Sequence, residues 1–187
     1  MKQKIEQILA AYGLKKLPRA GWIQSGIDPL AVESVASHSW GMAFLFTIIE
    51  PLLAPNIDRY RGLRMAVMHD LAESRVGDMT PQDGVDFNQK HDLERQAYEE
   101  LMRDHPNGDD LLAIWEEFEA GQSPEAQIIK QLDKLDMLLQ AYLYEKHENV
   151  VLDSFWENTE SLFKESAIAS IYDYIRMNRH KSKGNME

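Results

Sequence analysis

Apolar residues recur every three or four positions along most of the chain, the spacing that puts them on one face of an α-helix. Ile5, Ile8, Leu9 and Tyr12 mark a short amphipathic helix stopped by Gly13. Residues 14–32 break the period and predict an irregular connection ending near Asp28-Pro29. A second helix is expected from about Glu33 to Glu50, closed by Pro51, with Val35, Met42, Leu45 and Ile49 as its apolar stripe. Asp58 suits the cap of a third, running through Leu63, Val67 and Leu71 and ending before Gly77. Pro81 and Gly84 punctuate a polar loop, and helices follow at about 88–104 and 110–120, the latter closed by Gly121. Ser123-Pro124 is a strong start signal, a capping hydroxyl before a proline at the first helical position. From there Ile128, Leu132, Leu135 and Leu139 keep helical spacing, and Leu162, Phe163, Ile168, Ile171 and Ile175 predict a last helix over about 160–178. The tail around 181–185 reads as frayed. No alternating strand pattern, repeat or linker interrupts this series. The expected fold is all-α, one helical domain over residues 1–187.

Composition narrows the function classes. With 187 residues the chain can bury a sizeable core, and 44% hydrophobic against 27% charged residues is the balance of a folded protein. The formal charge of -11 argues against gripping a nucleic-acid polymer or an anionic membrane, either of which needs a basic face. There are no cysteines, which removes disulfides, thiolate metal sites and cysteine nucleophiles. The first residues hold no signal-like apolar stretch, and the longest apolar run, 42–49, is too short to span a bilayer. The expectation is a cytoplasmic protein.

Chemistry then rests on polar residues that interrupt the apolar stripes. Chance supplies about 0.4 His-Asp dipeptides in a chain of this composition; this one has two, His69-Asp70 and His91-Asp92. His91-Asp92 lies in a polar stretch and reads as a solvated helix face. His69-Asp70 sits among Met65, Ala66, Val67, Met68 and Leu71, where an Asp is costly to bury unless it is paired or binds a metal. Glu73 follows His69 by one turn and shares its face. Two roles fit this segment, a core His–Asp hydrogen bond or part of a metal site. His38 falls on the stripe of Val35 and Met42, as a satisfied core histidine or a ligand. Asp133 points near the stripe of Leu132 and Leu135, with Asp136 one turn later competing for the same role unless the two only pair with Lys130 or Lys134 on the helix surface. Together, three helices each offer a His or carboxylate on an inward-leaning face, and a His₂Asp₂ set suits a borderline or hard divalent ion.

These segments, in order, resemble the HD-domain metal-dependent phosphohydrolases, and within them the 5′-deoxynucleotidase branch. The resemblance is carried by Arg19-Ala20-Gly21-Trp22, Glu33-Ser34-Val35-Ala36-Ser37-His38, His69-Asp70-Leu71-Ala72-Glu73, Val76-Gly77-Asp78-Met79-Thr80-Pro81 and Lys130-Gln131-Leu132-Asp133. It implies a helical bundle with a metal-site core over about 33–145 and the last helix packed on it. It further implies His38, His69, Asp70 and Asp133 as ligands of one divalent ion (Co²⁺, Mn²⁺, Mg²⁺, Zn²⁺ or Fe²⁺). Glu73 and Asp78 then become the acid/base and nucleotide-contacting carboxylates, which together with the Met79 carbonyl are also placed to touch a second ion. Arg19 falls at the phosphate and Trp22 at the deoxyribose.

The chemistry agrees with those residue types. A phosphomonoester dianion repels hydroxide, so a cation is needed, and four protein ligands leave room for water and a phosphate oxygen. Glu73 is placed to move the water's proton, and the planar fork of Arg19 suits phosphate oxygens. Trp22 is either a wall against the sugar or a plug in the core. The expected substrate is a deoxyribonucleoside 5′-monophosphate. Rival activities are a triphosphohydrolase, a cyclic-nucleotide phosphodiesterase, or nucleotide binding without catalysis. Triphosphates call for several basic groups, and only Arg19, Arg64 and Arg75 stand near the motifs. Apolar faces around Trp156 and Phe163 either form a homodimer surface or simply close the core.

Overall fold

The structure, a computed structural model, describes residues 2–179 except 149 and 165. In chain order its helices are α1 (Lys2–Gly13), α2 (Ala20–Gln24), α3 (Val35–Ile49), α4 (Arg59–Met68), α5 (Glu73–Val76), α6 (Phe87–Met102), α7 (Gly108–Ala120), α8 (Pro124–His147), α9 (Asp153–Trp156), α10 (Glu160–Phe163) and α11 (Ala169–Asn178). Single 3₁₀ turns lie at Glu50–Leu52 and Pro81–Asp83. No strand occurs among the described residues, so the all-α expectation is met. The expected frayed tail lies outside the described residues.

Caps place the long helices where the sequence indicates. Ser123 Oγ accepts the Ala126 N–H at 3.1 Å, and Asp58 Oδ1 accepts that of Arg61 at 3.0 Å. Gly121 closes α7 in the left-handed conformation, φ 63°. α8 is the central rod. Its Ile129, Leu132, Leu135 and Leu138 are fully buried against Met42, Phe46 and Ile49 of α3, Met65 of α4 and Ile114 of α7. Each such side chain contributes about 1.5–3 kcal/mol of burial. A second core gathers Leu14 just after α1, Val35 of α3, Leu71 just before α5, Tyr98 and Leu101 of α6 and Trp115 of α7. A third gathers Trp22, Ile27, Ala141, Tyr144 and Leu152.

Four expectations need correction. The stretch 14–32 is not wholly irregular. It contains α2 and is clipped by a bridge at Pro18 and Ser34, where Arg19 N–H donates to the Glu33 carbonyl (3.0 Å) and Val35 N–H to that of Leu17 (2.9 Å). The third helix does not run unbroken to Gly77. After Met68 the backbone tightens to i→i−3 bonds through Arg75, and Gly77 then turns the chain at φ 81°, a region only glycine occupies easily. The buried face of α4 is also rotated. Leu63 and Val67 face outward while Gly62, Met65 and Ala66 pack inward. The close crossing with α3 explains this, since a Cβ on Gly62 would lie 2.6 Å from Phe46. The last helix is two pieces, α10 and α11. Trp156 is half-buried against the core and Phe163 is buried, so of the two roles expected for them it is core closure that these residues serve.

Candidate active site

The site lies where α3, the α4–α5 break and α8 meet. His38 projects from the inner face of α3 and is fully buried. His69 caps α4 at its C-terminus, and Asp70 begins the turn beyond. Each imidazole is fixed from behind. Nδ1–H of His69 donates to the Ala66 carbonyl (3.0 Å), and that of His38 to Asp136 Oδ2 (2.7 Å). Both Nε2 atoms therefore turn to a common point, 3.3 Å apart. Asp133 Oδ1 lies 3.3 Å from Nε2 of His38. Asp70 Oδ2 lies 3.1 Å from Nε2 of His69 and 3.6 Å from that of His38.

This donor set could hold a divalent ion. Ligand atoms of His38, His69 and Asp133 all fall within 4.8 Å of one another. Two imidazole lone pairs facing each other at 3.3 Å repel unless something positive lies between them, and two carboxylates add to that demand. Titration carries the same sign. Burial and the Arg19 charge both lower the His38 pKa, yet hydrogen bonds to Asp133 and Asp136 and the Asp70 charge outweigh them and lift it to about 10. Burial alone would raise both Asp70 and Asp133, but the neighbouring histidines and Arg19 hold them well below the usual carboxylate range. The pocket thus draws in a cation, a proton if nothing else. Nitrogen and oxygen donors without thiolate fit a borderline or hard metal.

Arg19 reaches the same point from the loop before α2, its Nη1 3.3 Å from Asp70 Oδ2. Despite its burial, the Asp70, Asp133 and Asp78 charges raise its pKa further. Glu73 lines the same cleft, 4% exposed, with Oε2 buried and without a hydrogen-bond partner among the described residues. Burial, reinforced by the Asp70 and Asp78 charges, pushes its carboxyl up to about 10, so it holds a proton. Asp78 Oδ2 accepts the Ala20 N–H at 2.6 Å, which ties the loop after Gly77 to the start of α2. The Met79 carbonyl accepts from Lys90 Nζ (3.0 Å). Trp22 is 2% exposed, stacked on Phe155 at 4.4 Å between ring centres, with Nε1–H donating to Glu33 Oε1 (2.8 Å).

Arg19, Trp22, His69, Asp70, Glu73, Asp78 and Asp133 line one open cleft of about 820 Å³, with Met79, Lys90 and Phe155 beside them, whereas His38, Asp136 and Glu33 lie behind its surface.

A model of the HD domain matches residues 11–171. The chain belongs to the HD-domain family. Among its relatives, the 5′-deoxynucleotidase HDDC2 of Dictyostelium discoideum is 35% identical over 170 residues, 84% of this chain and 88% of that protein. The HDDC2 5′-deoxynucleotidase of Mus musculus is 32% identical over 173 residues, 90% of this chain and 84% of the relative. The crystal structure of a Pyrococcus horikoshii protein superposes with TM-score 0.75 at 34% identity, covering 92% of this chain and 96% of that one.

In this HD-domain cleft the structure brings together Arg19, Trp22, His69, Asp70, Glu73, Asp78 and Asp133, with buried His38 reaching their common point from behind, but not every basic group. Arg64 pairs with Asp110 at 2.8 Å and Arg75 is exposed, and neither lines the cleft. Lys90, Lys130 and Lys134 do, so the cleft is richer in positive charge than expected. His91, taken as solvated, lines the cleft and packs its ring on Trp115 (5.2 Å), while Asp92 is exposed as expected. Glu94, passed over in the sequence, is buried one turn beyond Lys90, with its carboxyl pushed up to about 7 by burial, which Lys90 opposes and Glu119 reinforces. Helical spacing from Lys90 was the signal that could have found it. Among the described residues no helix is long and apolar enough to cross a membrane.

Proposed function

We propose that the protein is a metal-dependent phosphomonoesterase that cleaves deoxyribonucleoside 5′-monophosphates to deoxynucleoside and phosphate. The observation that carries this is the convergence of both Nε2 atoms, Asp70 and Asp133 beside a buried, unpartnered Glu73 at the floor of an open cleft. The names of the relatives at 32–35% identity supply the substrate class.

In this reading His38, His69, Asp70 and Asp133 hold the ion. Bound there, a divalent cation neutralises the phosphate dianion and lowers the pKa of water. Arg19, already aimed past Asp70, takes phosphate oxygens through its planar fork. Glu73 holds a proton at Oε2 and delivers it to the leaving 5′ oxygen, then takes one back from water in the next cycle. Asp78 fixes the Arg19 segment through the Ala20 amide and faces the nucleotide from the rim. Trp22, backed by Phe155 and pinned by Glu33, gives the wall beside the sugar its rigidity. Packing there against a 2′-hydroxyl supports a deoxy preference.

The lysines of the cleft favour one second reading, another HD-type activity on triphosphates or cyclic nucleotides. One experiment separates the two. EDTA-stripped protein is assayed for phosphate release from deoxy- and ribonucleoside 5′-monophosphates, triphosphates and cyclic nucleotides, with Co²⁺, Mn²⁺ or Mg²⁺ restored. Metal-restored cleavage of deoxy monophosphates is expected. Triphosphate or cyclic-nucleotide turnover alone transfers the assignment, and metal-dependent binding without any turnover leaves a binding protein.

The acidic, cysteine-free composition supports a cytoplasmic placement, which cell fractionation tests. A homodimer is proposed as well, through the outer face of α3, where Trp40, Phe44, Ile48 and then Leu52 form one exposed stripe. Light scattering should give a dimer that Trp40→Glu dissociates, and a monomeric wild type would end that proposal.

A further inference from the structure

Asp133 and Asp136 stand one turn apart on α8 and both face His38, but they meet different nitrogens. Asp133 Oδ1 approaches Nε2 at 3.3 Å, on the side where His69 and Asp70 converge. Asp136 Oδ2 approaches Nδ1 at 2.7 Å, on the side away from that point. A carboxylate only accepts, so this contact sets a proton on Nδ1 and leaves the Nε2 lone pair for the shared centre. His69 has the same arrangement with an uncharged acceptor, the Ala66 carbonyl. The two imidazoles thus share a tautomer and differ in backing, one anionic and one neutral.

Gly41 makes the anionic backing sterically feasible. It lies on α3 one turn beyond His38, and a Cβ built there would sit 2.2 Å from Asp136 Oδ1 and 3.1 Å from its Cγ. The carboxylate therefore rests directly on the backbone of α3. Any larger residue at 41 must push it off Nδ1, because the atoms it would meet belong to a short side chain on a packed helix rather than to a flexible tip.

We infer that Asp136, seated on Gly41, is a positioning residue for metal binding: it fixes the tautomer and ring plane of His38 and strengthens its Nε2 as a donor without touching the ion. This rests on the metal site proposed above. Groups behind a metal-bound histidine are commonly worth about 10–100-fold in metal affinity, and a carboxylate should be at the upper end. Neither residue needs to contact substrate for this effect.

The test is calorimetric titration of Co²⁺ into the EDTA-stripped full chain, alongside the visible absorption of the Co²⁺ form. Wild type is compared with Asp136→Asn, Asp136→Ala, Gly41→Ala and the double variant Gly41→Ala/Asp136→Ala, with circular dichroism of each metal-free protein as a check on folding. The expected result is a loss of about 10–100-fold in affinity for each single variant at unchanged stoichiometry and unchanged coordination spectrum. The double variant should bind no more weakly than Asp136→Ala alone, since Gly41 acts only through that carboxylate. Wild-type affinity in Asp136→Asn, or losses from Gly41→Ala and Asp136→Ala that add, overturns the inference. An altered coordination number in Asp136→Asn also overturns it, by making Asp136 a ligand. A wild type that binds no Co²⁺ removes the metal site itself and this inference with it, an outcome distinct from intact wild-type binding matched by Asp136→Asn.

Discussion

His69-Asp70 and His91-Asp92 are the same two residues in the same order, and they end in opposite circumstances. In the first pair Asp70 Oδ2 comes within 3.1 Å of Nε2 of His69, and both side chains are withdrawn from solvent. In the second the nearest approach is 3.9 Å, and the Asp92 side chain is 75% exposed. Part of the difference is backbone. His91 and Asp92 lie inside α6, where consecutive side chains diverge by about 100°, so one faces the cleft and the other the solvent. His69 ends α4, and Asp70 leaves the helical register in the tightened turn that follows. The larger part is company. Around Asp70 stand His38 from α3 and Arg19 from the loop before α2; among the described residues Asp92 has no ion pair with a group from another element. A dipeptide acquires chemistry from what other elements bring to it.

That contrast can be broken or sharpened by paired substitutions. The largest effect is expected for Asp70→Asn, which removes a ligand charge and the Arg19 counterion together. It should lower kcat/KM for deoxynucleoside 5′-monophosphate by about 10³-fold or more, the scale of several kcal/mol of charge stabilisation. Phosphate release and Co²⁺ titration check it, and a variant with near-normal turnover would place Asp70 outside the site. Next is Glu73→Gln, on the same turn. With no proton to give, kcat should fall about 10²–10³-fold while metal content stays at the wild-type level. Loss of metal in this variant would instead make Glu73 a ligand. The smaller effects fall on the other pair. His91→Ala loses packing on Trp115 worth about 1 kcal/mol, lowering Tm by about 2–4 °C with kcat/KM within threefold of wild type. Asp92→Asn should leave both quantities unchanged. A large kinetic effect at Asp92 would erase the distinction between the pairs.

Much of the fold was legible because long helices announce themselves locally. The Ser123 cap, Pro124 and Gly121 bracket α7 and α8 with signals that act within a turn. What was not legible depends on contacts between elements. α2 has only five residues and no stripe, and it is held by the bridge at Pro18 and by Asp78 from a distant loop. The inward face of α4 follows from the close crossing of Phe46 over Gly62, which favours small residues that no hydropathy pattern highlights. The site divides the same way. His38, His69, Asp70 and Asp133 were recoverable as an ordered set of inward polar residues. The separate posts of Asp133 and Asp136 were not, because which one meets Nε2 depends on the rotation of α8 about its own axis. Lys90 and Lys130 were missed because lysines on exposed-looking stretches carry no local sign that a cleft runs beside them.

Three hydrogen bonds join α2 to the loop after Gly77: Ala20 N–H to Asp78 at 2.6 Å, Thr80 Oγ1 to Gln24 at 2.8 Å, and Gln24 Nε2 to Asp83 at 3.3 Å. Segments nearly sixty positions apart are thereby sewn into a single rim. The arginine side of the cleft and its carboxylate side are then tied into one mechanical unit, so a displacement of either is transmitted to the other.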